Sequence, residues 1–427
     1  MKICLISTLF PPYSRGGAEI VAERVTQGLL SKGHEVIVIT AKPYSGLRSL
    51  WPRTEKNNSV SIYRFFPLNI ASFLNLSKVP LVLRALWHLL DALNFHTFFA
   101  VRSILKKERP ALVLSHNLKG LGYTIPLAIR KCRVPYANTV HDVQLVEPSG
   151  IIIPNSSPLS SHSSFLISYF SLLTSHLFGS PTLVISPSQW LLNFYSSHGF
   201  FKSSKRLMVP NPIQTKQEGI QEPDISTQRP FETSTRGYCR DETSSQAERA
   251  RILPCILHLL YVGQLEPHKG ISFLIKALKS WNNAFHLTIA GAGSSEQMLR
   301  EQLKNDARFT LKGYVKNTDI GHLLQNTDVT LLPSLFLENA PLTISYSFSY
   351  GVPVVASHLG GIPEMIKNGF NGFTFKPGDQ EDLLKKLEQI AKMKENGTLE
   401  QLKTGARKSI KNQTIEYYLE KLFSGEN

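Results

Sequence analysis

Lys2-Ile3-Cys4-Leu5-Ile6-Ser7-Thr8-Leu9, then Gly16-Gly17-Ala18-Glu19, then Val36-Ile37-Val38-Ile39: these three stretches decide the fold. The first and third are apolar runs without a polar face, the pattern of a strand buried on both sides. Between them Val21, Val25 and Leu29, with Ala22 and Leu30, recur on one helical face, and Gly33 stands where a helix would stop. Strand, helix and strand in that order make a βαβ unit and predict a parallel sheet. Leu112 to Leu114, Tyr136 to Val140 and Leu183 to Ile185 read as further strands of it.

From Ile256 the same grammar restarts. Ile256 to Val262 is an apolar run, Ile271 to Lys279 a helix, and His286 to Ala290 a strand that ends in Gly291-Ala292-Gly293. Phe309 to Leu311, Val329 to Leu332 and Val352 to Ala356 continue the alternation. Two such blocks predict an α/β protein of two doubly wound, Rossmann-like domains facing each other across a central cleft. The expected boundaries are 1–214 for the first domain, 215–251 for a polar, mobile insertion, 252–400 for the second domain and 401–427 for a terminal helical segment. For the helix around Thr414 to Phe423 the sequence leaves the packing partner open, the N-terminal domain included.

The 427 residues are 42% hydrophobic and 19% charged, which excludes a chain disordered throughout. Lys and Arg number 47 against 32 Asp and Glu, a net +15, so an anionic partner is expected: nucleic acid, anionic lipid or a phosphorylated substrate. No nucleic-acid module accompanies the charge, and nucleic acid is not an expected partner. Cys4, Cys132, Cys239 and Cys255 stand far apart, with neither a zinc pattern nor a secreted disulfide framework, which favours a reducing cytoplasm. The apolar start is too short, and too soon broken by Pro11-Pro12, to read as a secretion signal. Val79 to Leu93 and Phe165 to Phe178 are the most apolar longer stretches, but charges interrupt one and serines dilute the other.

In doubly wound sheets ligands sit outside the carboxyl ends of the strands, so chemistry is sought in the loops after them. After Val329 to Leu332 comes Pro333-Ser334-Leu335-Phe336-Leu337-Glu338-Asn339-Ala340-Pro341-Leu342. Asn339 suits an N-cap, Pro341 a first helical turn and Gly351 the C′ position, so a short helix is expected there, its free N–H groups fit for phosphate. Glu338 either accepts hydrogen bonds from sugar hydroxyls or merely stabilises the helix start. Lys269, after Ile256 to Val262, is either a point charge for a diphosphate or a solvated surface cation. Gly291-Ala292-Gly293 either lets backbone approach a ligand or is a plain tight turn. The stretch from Ile62 to Lys107 mixes Phe65, Phe66, Phe73, Leu86, Trp87 and Phe98 with Arg64, Lys78, Arg84 and Lys106. It suits amphipathic helices on an anionic membrane, or equally the core of the first domain with a solvated basic face.

Gly16 to Glu19, Thr139-Val140-His141-Asp142, Ile185-Ser186-Pro187-Ser188, Val209-Pro210-Asn211-Pro212 and the whole of Ile256 to about Ile390 occur in one order. Together they resemble the retaining, nucleotide-sugar-dependent glycosyltransferases of group 1, or family four, with the GT-B fold. The resemblance implies a nucleotide-sugar donor, a glycan or lipid-linked acceptor and no cofactor or metal, in keeping with the lack of any Asp-x-Asp. With the cysteine usage it leads to the expectation of a cytoplasmic enzyme, which the basic, aromatic stretch from Ile62 to Lys107 would place on the inner face of the membrane if its helices are not core. His141 and Glu338 resemble the residues near the transferred sugar. Gly16, Gly17, Gln264, Lys269, Gly291, Gly293, Asn339, Ala340, Pro341, Leu342 and Tyr346 fall on donor-binding positions. Two of these depart from the family pattern. Tyr346 stands where a second glutamate binds the ribose, and Gln264 where an arginine pairs with the diphosphate lysine. A tyrosine hydroxyl and a glutamine amide still hydrogen-bond, but neither supplies the missing charge. A protein of this fold that binds nucleotide, glycan or partner without transferring sugar is the alternative those departures support.

Overall fold

A computed structural model describes residues 1–13, 16–57, 60–154, 161–213 and 256–425. The polar stretch 215–251, with Cys239, and the adjoining Cys255 lie outside the described residues. The chain divides into two compact units: residues 1–213, 337–342 and 412–425 form the first, and residues 256–336 and 343–411 the second. The short strap Leu337–Leu342, which the sequence reading assigns to the later domain, thus counts with the earlier one.

The first unit carries β1 (Lys2–Ile6), β2 (Glu35–Ala41), β3 (Arg53–Asn57), β4 (Val60–Phe65), β5 (Leu112–Ser115), β6 (Tyr136–Thr139), β7 (Leu183–Ser186) and β8 (Lys205–Met208). They join as one sheet in the order β3-β4-β2-β1-β5-β6-β7-β8, parallel except for β3. Central β1 shows why its sequence is apolar throughout. Ile3, Cys4, Leu5 and Ile6 are fully buried, and neighbours face opposite ways because strand side chains alternate. Cys4 and Ile6 join a core with Ala92, Val101 and Ile129 from helices on one side of the sheet. Ile3 and Leu5 join a second core with Val21, Val25 and Leu29 of helix Gly17–Ser31.

The terminal helix Ile415–Ser424 completes that second core through Tyr418, Leu419 and Leu422. It lies against Gly28, where an added Cβ would come within 2.2 Å of Ile415 Cγ1. The Tyr418 hydroxyl shares a 2.8 Å hydrogen bond with Thr139 Oγ1 at the end of β6. The open question of where this helix packs is therefore answered within the first unit.

The Ile62 to Lys107 stretch resolves into three parts. Ile62, Tyr63 and Phe65 belong to strand β4, not to a helix, and are buried. Phe73, Leu76 and Trp87 form a small core with Leu9. Val82, Leu83, Leu86, Leu89 and Leu90 on helix Leu81–Ala92 face solvent, Val82 with 86% of its surface exposed. The core reading thus holds for the buried residues of β4 and for Phe73, Leu76 and Trp87, while helix Leu81–Ala92 leaves an apolar face exposed.

The second unit carries β9 (Leu257–Val262), β10 (Phe285–Ala290), β11 (Phe309–Gly313), β12 (Val329–Leu332), β13 (Val354–Ser357) and β14 (Gly372–Phe375), all parallel. Their order, β11-β10-β9-β12-β13-β14, reverses direction between β9 and β12. That junction is the topological switch point, where strand connections leave to opposite sides and a crevice opens at the carboxyl edge. No helix among the described residues is long and apolar enough to cross a membrane.

Candidate active site

The loops after β9 and β12 leave the sheet from adjacent strands at this switch point and hold each other. Leu335 N–H donates to His268 O at 2.9 Å. The His268 ring meets Phe336 edge-on at 4.9 Å between centroids, and Lys269 Nζ stands 4.8 Å from the centre of the same Phe336 ring. A cation over an aromatic face gains about 0.5–1 kcal/mol at such a site, which helps hold the ammonium in place. Gly270 closes the turn with φ +75°, and an added Cβ there would lie 1.8 Å from Pro333 O. Helix Ile271–Lys279 starts at the next residue, so its positive dipole end adds to the Lys269 charge. A lysine and a helix N-terminus at one strand end suit a diphosphate.

On the other flank, Gly291 follows β10 and abuts the loop after β9. A Cβ on Gly291 would lie 1.8 Å from Gly263 O, and one on Gly293 2.6 Å from Leu265 O. Glycine is required at both by loop-to-loop packing before any ligand is considered. Gln264 is exposed, and its carbonyl accepts a 2.7 Å bond from the Tyr261 hydroxyl. Tyr346 sits on helix Leu342–Ser349 against a cluster of Leu260, Ile320, Leu324 and Val352.

The expected helix is present, and Gly351 takes φ +72° two residues past its end. Its start needs correction. The helix begins at Leu342, and Asn339 does not cap it, because its carboxamide is committed elsewhere in the first unit. Asn339 Nδ2 donates to His141 O at 3.1 Å, and Asn339 Oδ1 accepts a short bond from the Ser188 hydroxyl. Ser188 Oγ in turn accepts from Leu191 N–H at 3.1 Å as the cap of helix Gln189–Ser197. Leu337 N–H donates to Ile152 O at 2.8 Å, which fastens the other end of the strap. Glu338, between these anchors, is only 8% exposed, while Ala340 and Pro341 are partly exposed.

In the first unit Gly16 N–H donates to Glu19 Oε2 at 2.7 Å, one arm of the capping box that starts helix Gly17–Ser31. A Cβ on Gly17 would come 3.1 Å from Leu342 Cδ1. His141 follows β6, and its neighbour Asp142 accepts from Gln144 N–H at 2.9 Å through Oδ1 and from the Tyr195 hydroxyl at 2.5 Å through its carbonyl. Loss of water around the ring lowers the His141 imidazole to about 4, so it is neutral at physiological pH. Burial pushes the Asp142 carboxyl up to about 6.

Sequence reasoning missed His116. It follows β5 as His141 follows β6, so the general search of loops after strands covers it, whereas His141 stands out by its resemblance to a family motif that His116 lacks. The two imidazoles meet at 3.0 Å, His116 Nδ1 to His141 Nε2, with the rings 21° from parallel. Nearby Lys119 is 5% exposed and donates to Pro148 O at 2.7 Å, so its charge serves the loop after β5. No group of three or more His, Cys, Asp or Glu fit for a metal occurs among the described residues.

A family model described as Glycosyl transferases group 1 matches residues 257–409, and one described as Glycosyltransferase Family 4 matches residues 15–217. A 42.6 kDa protein of the cps region of Klebsiella pneumoniae is 25% identical over 365 residues, 86% of this chain and 87% of that one. The amylovoran biosynthesis glycosyltransferase AmsK of Erwinia amylovora is 31% identical over 138 residues, 30% of this chain and 34% of its own. Among solved structures, Anabaena Alr3699/HepE in complex with UDP-glucose superposes with a TM-score of 0.63 at 16% identity, covering 99% of this chain and 100% of that one.

Proposed function

Since this chain belongs to the group 1 glycosyl transferases and has their GT-B fold, we propose that it moves a hexose-type sugar from a nucleoside-diphosphate donor to a growing glycan or lipid-linked acceptor, with retention at the anomeric carbon. One observation carries the reading: Lys269, seated on Phe336 at the N-terminus of helix Ile271–Lys279, occupies the switch point of the second unit's sheet. The UDP-glucose bound by the Anabaena protein and the amylovoran pathway named for AmsK support a nucleotide-sugar donor and a polysaccharide product.

In glycosyl transfer the bond from anomeric carbon to phosphate breaks as positive charge develops on the sugar ring and negative charge on the departing diphosphate. Lys269 and the helix dipole stabilise that leaving group, which is where electrostatics contributes most. The phosphate oxygen then takes the acceptor's proton on the same face, and Glu338 and His141 hold sugar hydroxyls. In this reading Lys269, the helix terminus and the Gly-rich backbone take the place of a cation at the diphosphate, and the reaction needs no metal, in keeping with the lack of any Asp-x-Asp in the chain. Incubation of the protein with uridine and guanosine diphosphosugars and an acceptor library, in EDTA, tests the reading. Turnover with the product's anomeric configuration retained is expected; no turnover with any donor, by folded protein, contradicts it. Nucleotide binding without turnover is the outcome of the second reading, a non-transferring binder, which exposed Gln264 and the apolar seat of Tyr346 favour.

The acceptor side suits a lipid surface. Val82, Leu83, Leu86, Leu89 and Leu90 of one helix are exposed, as are Phe95 and Phe99 of the next, in a chain of net charge +15. Apolar residues in such a group favour a membrane interface, and the cations favour its anionic, cytoplasmic face. Val82→Glu combined with Leu86→Glu is expected to cut binding to phosphatidylglycerol vesicles at least tenfold while leaving thermal stability unchanged, since both side chains are exposed. Wild-type protein that stays free of such vesicles at low salt contradicts the membrane assignment.

A further inference from the structure

His116 and His141 follow neighbouring parallel strands: Ser115 of β5 is in register with Asn138 of β6, so His116 lies one residue and His141 three residues beyond that pair. Each backbone is pinned. His116 N–H donates to Ile6 O at 2.9 Å, and His141 O accepts from Asn339 Nδ2. The single contact between the rings, 3.0 Å from His116 Nδ1 to His141 Nε2, contains one proton, and two arrangements are possible. His116 is 3% exposed, and its other nitrogen, Nε2, is buried without a partner.

That orphan nitrogen decides between the arrangements. If His141 Nε2–H donated, the proton of neutral His116 would sit on Nε2, a buried N–H with no acceptor, which folded proteins leave orphaned more rarely than an acceptor. If His116 Nδ1–H donates, Nε2 is left as a bare lone pair, and the proton of His141 moves to Nδ1. His141 keeps part of its surface exposed, and its Nδ1 is not among the buried unpartnered atoms. A third arrangement, with an imidazolium in the pair, is opposed by burial, which holds His116 well below the usual histidine range and His141 near 4.

We propose that His116 is a positioning residue that locks His141 into the Nδ1–H tautomer, so that His141 offers a hydrogen-bond donor, and no proton-accepting nitrogen, to a ligand oxygen at the end of β6. The ring nitrogen that bonds a neighbour fixes the tautomer of the other, which is how a buried second histidine acts on the first. For catalysis the inference rests on the sugar-transfer reading. It means that His141 grips a sugar hydroxyl and that deprotonation of the acceptor is done by another group.

Two measurements test it, the first independent of activity. In full-length protein with 15N-labelled histidine, long-range proton–nitrogen spectra at pH 7.5 should show His141 Nδ1 protonated and Nε2 bare, its signals assigned by their loss in His141→Gln. The opposite pattern overturns the proposal whether or not the protein transfers sugar. In His116→Leu, His141 should shift to the Nε2–H form and kcat should fall tenfold or more with donor KM changed less than threefold. His116→Asn, whose amide N–H takes the place of Nδ1–H, should restore both the tautomer and most of kcat. An unchanged His141 tautomer or unchanged kcat in a folded His116→Leu contradicts the positioning role. If that variant does not fold, the wild-type spectrum and the asparagine variant still decide. A correct tautomer in a protein without turnover would sink the sugar-transfer reading and leave this one standing.

Discussion

Lys269→Ala is expected to lower kcat/KM for the nucleotide sugar by about 10²–10³, with little effect on folding. The magnitude follows from removing one preorganised charge from a departing diphosphate, about 2.7–4 kcal/mol of transition-state stabilisation. The structure makes the loss hard to compensate locally. Lys269 is held by Phe336 on a turn that Gly270 and the Pro333 carbonyl fix from below, and neighbouring Gln264 has no charge to offer. The change should leave stability within about 1 kcal/mol, because the side chain is partly exposed. Steady-state kinetics beside urea unfolding separates the two effects. Unchanged kcat/KM would remove Lys269 from the site.

The second large effect is structural and lies one residue on. Gly270→Ala is expected to destabilise the protein by about 4 kcal/mol or more, read as a lowered urea midpoint. At φ +75° an alanine costs about 1–2 kcal/mol in backbone strain alone, and its Cβ would fall 1.8 Å from Pro333 O. The carbonyl belongs to the backbone after β12 and cannot swing aside like a side-chain tip, so one loop must move away from the other. That separation breaks the Leu335 to His268 hydrogen bond and lifts Phe336 from Lys269. Donor affinity should fall in parallel with stability, although alanine adds no group that touches a ligand. A loss below about 1 kcal/mol would show that the two loops are not packed as described.

The parts of this molecule that are legible in its sequence are those whose local pattern and tertiary role coincide. β1 and β12 are apolar because they are central and buried on both faces, and β9 nearly so apart from exposed His258, so their sequence states their position. β3 is the contrary case. Arg53-Thr54-Glu55-Lys56-Asn57 is exposed along its whole length, and only antiparallel pairing with β4 makes it a strand. Edge strand β8, mostly exposed, is hidden for the same reason. β4 itself reads as part of an amphipathic stretch because aromatic and basic residues alternate there. Arg64 is nevertheless buried, donating to Phe10 O at 3.1 Å and to Glu55 at 2.9 Å.

The site shows the same division. Lys269, Glu338 and His141 stand in recognisable order along the chain. Asn339 has the composition of an N-cap, yet it serves as a tether between Ser188 and His141, some 150 and 198 residues away in sequence. Such partners are set by the meeting of distant strand ends and leave no local periodicity. Glycine requirements are equally non-local: Gly291 reads as room for a ligand but is first room for the Gly263 carbonyl.

Calorimetric titration in EDTA compares matched nucleoside diphosphates and monophosphates on wild-type protein and on Lys269→Ala, and it bears most directly on where the donor's charge is held. The wild type should bind the diphosphate at least tenfold more tightly than the monophosphate, and the variant should lose most of that gap while binding the monophosphate as before. Equal affinity for the two nucleotides in the wild type, or a gap that survives in Lys269→Ala, would contradict the placement of the diphosphate at the Lys269 turn.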